Sequence, residues 1–121
     1  MAPIRILFVD DCDDDVFIAT HRLRKAGFDL DIRTVAFEHE LREAISTFHP
    51  DIVVSDMSLP GFSGLDALDV VRSTAPTMPF VFLCGGAERC DQDLLTRGAY
   101  AILDKDHAES LPALISEALA S

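Results

Sequence analysis

Positive charge is scarce in this 121-residue chain, which carries 10 lysines and arginines against 21 aspartates and glutamates. The formal net charge of -11 repels nucleic-acid backbones and anionic lipid headgroups at long range, which argues against direct binding to either. Long hydrophobic runs are also missing. The longest, around Phe80 to Cys84, has about five residues, too few for a transmembrane helix or a signal-peptide core. We therefore expect a soluble, cytoplasmic protein.

Cysteine is rare as well. Cys12, Cys84 and Cys90 form an odd set without Cys-x-x-Cys spacing, so the sequence suggests neither a disulfide framework nor a zinc site. Linkers, low-complexity tracts and repeats are absent. The length and the 49% share of hydrophobic residues predict one globular domain over residues 1–121.

Short apolar runs alternate with segments of helical period, which is typical of strand–helix units around a parallel sheet. Weaker strands are predicted at 30–35 and 101–103. Three runs are continuous and predict strands buried on both faces: Ile6–Val9, Ile52–Val54 and Phe80–Leu83. Apolar residues at helical spacing predict five helices, and Phe37 is assigned to the buried stripe of the second. The expected fold class is α/β with a doubly wound sheet.

Acidic residues follow the predicted strands at the points where they end. The first predicted strand, Ile6–Val9, is followed by Asp10 and Asp11. The third, Ile52–Val54, leads to Asp56, and the fifth, at 101–103, is followed by Asp104 and Lys105. If the first and third strands are neighbours, three carboxylates converge with an ammonium group nearby, at the edge where such sheets bind ligands. Carboxylates this close need a compensating cation, and an all-oxygen site suits Mg²⁺.

A metal-bound carboxylate beside a lysine, without a conventional catalytic base, points to phosphoryl transfer onto an aspartate. The alternative is that acids after strands only cap the next helices. We assign that role to Asp13, Asp14 and Asp15, with Asp13 or Asp14 as the cap.

Three segments in this order and spacing make the chain resemble response-regulator receiver domains of two-component signal transduction, the CheY-like superfamily. They are Ile6–Asp11, Asp56–Gly64, and Gly98-Ala99 followed by Leu103–Lys105. The resemblance covers essentially the whole chain. It implies a flavodoxin-like sheet of five parallel strands in the order 2-1-3-4-5, with five helices.

The resemblance also implies roles for individual residues. Asp56 would accept a phosphoryl group from a histidine kinase or a histidine phosphotransfer protein, without turnover of a separate substrate. Asp11, Asp56 and the backbone carbonyl of Ser58 would bind Mg²⁺ directly. Asp10 would act through water, and Lys105 would contact the phosphoryl group. Output would pass to a downstream protein target or to an output domain attached in a longer parent protein.

Two positions depart from the family pattern. Cys84 stands where the family has threonine or serine, and a thiol is a weak hydrogen-bond donor, so we predict a weakened response to phosphorylation. Ile102 replaces the aromatic residue that usually reports the switch. Tyr100 could take its place only if both residues lie on one strand face.

Two other functions remain open at this point. One is a pseudo-receiver, an interaction module that is not phosphorylated, which Cys84 and Ile102 favour. The other is a fragment of a haloacid-dehalogenase-type phosphatase, because Asp11-Cys12-Asp13 fits that class's local pattern. That class needs further acidic motifs and a longer chain.

Overall fold

A parallel sheet forms the centre of the protein. The computed structural model describes residues 3–59, 61–84, 93–104 and 109–120. Seven strands lie within these residues: β1 (Ile4–Val9), β2 (Leu30–Val35), β3 (Ile52–Asp56), β4 (Ser58–Leu59), β5 (Phe62–Ser63), β6 (Phe80–Cys84) and β7 (Ala101–Asp104). Five of them pair in parallel in the order β2-β1-β3-β6-β7, and β4 and β5 form a separate antiparallel hairpin. Apart from that hairpin, this is the predicted 2-1-3-4-5 order, so the predicted fold is confirmed.

Helices connect the strands on both sides of the sheet. Within the described residues they are α1 (Asp13–Lys25), α2 (Glu38–Thr47), α3 (Gly64–Thr74), α4 (Asp93–Thr96) and α5 (Leu111–Ala120). None of these helices combines the length and the apolar character needed to cross a membrane.

The continuous apolar runs are explained by two hydrophobic cores, one on each face of the sheet. Leu7 and Val9 point into the core formed with α2 and α3, here called the α2/α3 core. Ile6 and Phe8 point into the core formed with α1 and α5, the α1/α5 core. All four side chains are fully buried. A strand covered on both faces needs apolar residues at every position, not at alternate ones.

The prediction that Phe37 belongs to the buried stripe of α2 is wrong. The helix begins at Glu38, and Phe37 has an extended backbone just before it. Its side chain is 46% exposed and stacks on His39, with the ring centroids 6.0 Å apart. Because Phe37 lies outside the helix, helical spacing does not decide where its ring points.

Tyr100 and Ile102 do not share a face, which excludes Tyr100 as a direct substitute for an aromatic residue at 102. Ile102 packs against the α2/α3 core, whereas Tyr100 packs against the α1/α5 core. Tyr100 precedes β7, so the alternation of side chains along that strand does not extend to it.

The connection from α3 into β6 is held by Arg72. Its guanidinium donates to the carbonyls of Pro76 and Met78, just before Phe80 begins the strand. Burial lowers the pKa of Arg72 from its ordinary value. The aliphatic part of this side chain packs on Gly98, where a Cβ would lie 2.8 Å from the Arg72 Cδ. Arg72 thus ties the entry to β6 to the turn after α4.

His49 has a positive φ of 54° immediately after α2, where glycine is the preferred residue. We expect His49→Gly to raise the free energy of unfolding by about 0.5 kcal/mol, because the relieved strain slightly exceeds the added freedom of the unfolded chain. Urea unfolding measures this. The matched change His39→Gly, inside α2, is expected to lower stability by about the same amount. A loss of stability in both variants would contradict the assignment of strain to His49.

Candidate functional site

Three aspartates meet at the carboxyl end of the sheet. β1 and β3 are adjacent, with Val9 opposite Ser55, so the next residues, Asp10 and Asp56, lie at the same edge. Carboxylate oxygens of Asp10, Asp11 and Asp56 all lie within 4.8 Å of one another. Asp10 is 3% and Asp56 is 8% exposed, whereas Asp11 is exposed. The convergence predicted for these acids is confirmed, and we call them the acidic cluster.

The backbone after β1 holds Asp10 in place. Its amide donates to the carbonyl of Val35 in β2, at 2.9 Å, which continues the sheet by one residue. Its Oδ1 accepts the amide N–H of Cys12, at 2.8 Å. The side chain is thereby fixed in the turn that leads from the sheet into α1.

The residue that caps α1 is not the one predicted. Cys12 is the N-cap residue and its side chain makes no capping hydrogen bond, while Asp13, Asp14 and Asp15 form the first helical turn. These acids therefore stabilise the helix through the attraction of their negative charges to the positive end of the helix dipole, and not as caps. Asp10 reaches the Cys12 amide, so the chain turns into the helix one residue earlier than a capping Asp13 would require.

Asp56 ends β3 and is held by its immediate neighbours. Its Oδ1 accepts the amide N–H of Met57 at 2.8 Å, and the Ser55 hydroxyl donates to its backbone carbonyl at 2.8 Å. The Met57 carbonyl in turn accepts the amide N–H of Gly64, also at 2.8 Å. The start of α3 is thus bonded directly to the residue after Asp56.

After Asp56 the chain forms a hairpin that leads into α3. Ser58 pairs with Ser63 across the β4–β5 ladder, and Gly61 makes the turn with a φ of 81°. Ser63 caps α3: its hydroxyl accepts from the Asp66 amide, and the Asp66 carboxylate accepts from the Ser63 amide, both at 3.1 Å. The predicted metal contact of the Ser58 carbonyl stays a prediction.

Cys84 lies at the same sheet edge. It ends β6, is 2% exposed and pairs with Asp104 of β7, while the preceding residue, Leu83, pairs with Asp56. Cys84 is disulfide-bonded, whereas Cys12 is a free thiol. The sequence suggested no disulfide, so this expectation is corrected. Lys105 follows Asp104 in sequence and lies outside the described residues.

A shallow depression of about 390 Å³ adjoins the acidic cluster on the side of β2 and α2. Phe37 and Glu40 form part of its wall beside Asp10 and Asp11. Sequence reasoning missed Glu40, whose Oε1 accepts the amides of Ala36 and Phe37, at 3.1 and 3.2 Å. A glutamate three residues into a helix is a capping signal, but the usual serine or threonine partner is absent at Phe37.

The donor set of the acidic cluster fits a hard divalent cation. Around an octahedral Mg²⁺ with Mg–O distances of about 2.1 Å, oxygen ligands lie about 3 to 4 Å apart, and the three carboxylate oxygens here lie within 4.8 Å of one another. Mg²⁺ is usually held by one or two carboxylates and keeps several waters. The exposed position of Asp11 leaves solvent access for such waters. The three carboxylates are therefore a chemically suitable ligand set for a hard divalent cation.

Comparisons with known proteins agree with this arrangement. The family model for the response regulator receiver domain matches residues 6–116. The transcriptional regulatory protein TrcR of Mycobacterium tuberculosis is 34% identical over 85 residues, which cover 68% of this chain and 31% of TrcR. The chain spans less than two fifths of the length of the curated relatives it matches.

Solved structures show the same fold over the whole chain. A response regulator from Chloroflexus aurantiacus superposes with a TM-score of 0.84 at 27% identity, covering 99% of this chain and 100% of that one. The receiver domain of the sensor histidine kinase PA1611 from Pseudomonas aeruginosa has a TM-score of 0.80 at 21% identity, with 99% and 100% covered. That protein was crystallised with a magnesium ion coordinated in its active site cleft.

Proposed function

The chain belongs to the response regulator receiver domain family, and on that basis we propose that it accepts a phosphoryl group on Asp56 during two-component signalling. The observation that carries the proposal is the convergence of Asp10, Asp11 and Asp56 at one end of the sheet. Membership of this family also argues against the second alternative, a phosphatase fragment, which was suggested by Asp11-Cys12-Asp13.

Asp56 is assigned as the acceptor because it opens the segment Asp56–Gly64, which matches the receiver-domain pattern. Its Oδ1 is held by the Met57 amide, which orients the carboxylate at the end of β3. A carboxylate oxygen of Asp56 attacks the phosphorus of a phosphohistidine whose other ring nitrogen is protonated. A P–O bond forms, the P–N bond breaks, and the neutral imidazole leaves with that proton. The product is an aspartyl phosphate.

Asp10, Asp11 and Asp56, with the Ser58 backbone carbonyl, would hold Mg²⁺, and Asp10 would act through a water molecule. When bound, Mg²⁺ neutralises charge on the phosphoryl oxygens. The amine of Lys105 would contact the same oxygens. Because Asp10 is buried and bonded to the Cys12 amide, its carboxylate is positioned before any ligand arrives.

The donor is proposed to be a histidine kinase or a histidine phosphotransfer protein in the cytoplasm. The relative TrcR is named a transcriptional regulatory protein, and this chain matches 31% of its length. Output would therefore pass either to a separate protein target or to an output domain of a longer parent protein. Direct contact with nucleic acid or membrane is not part of this proposal, given the net charge of -11.

Phosphorylation with a small-molecule donor tests the proposal. We expect acetyl phosphate with Mg²⁺ to add one phosphoryl group to the wild type, with none added in EDTA, as measured by intact-protein mass spectrometry. Asp56→Asn should incorporate none. Asp69→Asn, which changes an exposed aspartate of α3, is the matched control and should behave like the wild type.

The pseudo-receiver function is favoured by one observation: Cys84 is disulfide-bonded and so has no S–H to donate. A pseudo-receiver and a phosphoacceptor predict different results in the acetyl phosphate experiment. No incorporation into the wild type, either from acetyl phosphate or from phosphorylated kinases, would support a pseudo-receiver. Equal incorporation into wild type and Asp56→Asn would contradict the assignment of the acceptor.

A further inference from the structure

We propose that the outer face of α1 binds a second copy of this chain, with the two α1 helices packed antiparallel about a twofold axis. The inner side of the helix is occupied, because Ala19 and Leu23 are buried in the α1/α5 core. The opposite side is exposed to solvent, and we call it the α1 outer face. Its residues are spaced three or four apart and so lie on one side of the helix: Asp14, Phe17, Ile18, His21, Arg22 and Lys25.

The centre of the α1 outer face is apolar. Phe17 is 70% and Ile18 is 49% exposed, and they are the two most exposed large hydrophobic side chains of the described residues. Phe17 stacks on His21, with the ring centroids 6.3 Å apart. These three residues line a shallow depression of about 310 Å³ together with Arg22 and Lys25. Adjacent exposed apolar side chains are typical of a surface that binds another protein.

The two ends of the same face carry opposite charges. Asp14 lies in the first turn of α1, whereas Arg22 and Lys25 lie in the last. No salt bridge within the described residues involves any of these three side chains. Their charges are therefore available to a partner outside the chain.

Opposite charges at the two ends make the α1 outer face complementary to itself. In an antiparallel pair of helices, the acidic end of each helix lies beside the basic end of the other. If Ile18 lies opposite His21 of the second copy, Asp14 lies opposite Lys25 of the second copy, because Asp14 precedes Ile18 by four residues and Lys25 follows His21 by four. A twofold axis forms each of these contacts twice.

The charge of the whole chain favours this arrangement over other contacts between copies. With a net charge of -11, two copies repel each other at long range. Three of the chain's ten basic residues, Arg22, Arg24 and Lys25, lie in the last turn of α1, which can therefore receive an acidic segment. The first turn of a second α1 supplies one. Because each copy contributes a single helix, the contact is small, and we expect a dissociation constant of about 0.1 mM.

Analytical ultracentrifugation of the wild type tests the proposal. In about 0.15 M salt, which screens the long-range repulsion, we expect the average mass to rise towards that of a dimer as the concentration rises from about 0.01 to about 1 mM. Phe17→Ala should weaken dimerisation about tenfold. Phe37→Ala, which removes an exposed phenylalanine outside the α1 outer face, is the matched control and should dimerise like the wild type. A wild type that stays monomeric at every concentration would overturn the proposal.

Charge reversal tests the antiparallel register. Asp14→Lys places two lysines opposite each other, and Lys25→Asp places two aspartates opposite each other, so each variant alone should dimerise about tenfold more weakly. An equimolar mixture of the two variants should restore dimerisation, because every lysine then faces an aspartate. The double variant Asp14→Lys/Lys25→Asp should restore it as well. Thermal unfolding confirms that each variant is folded.

Dimerisation of the mixture that is as weak as that of the separate variants would contradict the antiparallel arrangement. The inference does not depend on the proposed function, because Asp56 is not part of the α1 outer face. A monomeric wild type that is still phosphorylated on Asp56 would overturn the dimer and leave the phosphoacceptor role standing. A dimer that takes up no phosphoryl group would do the reverse.

Discussion

Gly64→Ala is expected to lower the free energy of unfolding by about 2 to 3 kcal/mol. A Cβ at this position would lie 2.5 Å from the backbone carbonyl oxygen of Asp56 and 2.9 Å from the Met57 Cα. It would also lie 2.8 Å from the ring of Phe82. Backbone atoms cannot move aside as a flexible side chain can, so the end of β3 or the start of α3 must shift. Replacing glycine by alanine usually stabilises a helix, whereas here we expect the replacement to destabilise the protein.

Urea unfolding measures this loss, and Gly61→Ala is the matched control. A Cβ at Gly61 would meet nothing within 4 Å, but the backbone there has a φ of 81°. Its replacement should cost about 1 kcal/mol through backbone strain alone. A Gly64→Ala variant as stable as the wild type would show that the contact between α3 and the Asp56 backbone is loose. We expect Gly64→Ala also to weaken any Mg²⁺ response if the clash is relieved by a shift at the end of β3, where Asp56 lies.

Asp11→Asn is expected to abolish the stabilisation of the protein by Mg²⁺. At a free concentration about tenfold above the dissociation constant, bound Mg²⁺ stabilises a folded protein by about 1.4 kcal/mol. Removing one carboxylate from the acidic cluster removes a proposed direct ligand and much of the attraction for the cation. Without Mg²⁺ the variant should be slightly more stable than the wild type, by less than about 1 kcal/mol, because Asp11 is exposed and repulsion there is screened.

Thermal unfolding with Mg²⁺ and with EDTA measures both effects. Asp14→Asn provides the control, since Asp14 is an exposed acid in the first turn of α1 and lies outside the acidic cluster. That variant should keep the full Mg²⁺ response and lose only a small helix-dipole contribution. An undiminished Mg²⁺ response in Asp11→Asn would remove Asp11 from the metal site.

The strands of the main sheet were predictable because their signal is local. Ile6–Val9 and Phe80–Leu83 are apolar at every position, and such runs require cover on both faces. Because parallel strands end on the same side of a sheet, the acids that follow them belong to one edge. The order of residues along the chain is therefore enough to identify Asp10, Asp11 and Asp56 as a group.

The residue at which each helix begins and the core that each single side chain joins were not predictable. Helical spacing placed Phe37 in the core, but the helix begins one residue later, and the ring is exposed. The preference of aspartate for capping positions predicted Asp13 or Asp14 as the N-cap of α1. Cys12 is the N-cap residue instead, and its amide donates to Asp10. Tyr100 and Ile102 have strand spacing but pack against opposite cores.

The sequence by itself determined the fold class and the set of acids at the strand ends, since both follow from the order of apolar and charged residues along the chain. Only the tertiary structure decided that Asp10, Asp11 and Asp56 come within 4.8 Å of one another and that Cys84 is disulfide-bonded. The first of these facts depends on the register between β1 and β3, which brings residues far apart in sequence together and which no local pattern encodes.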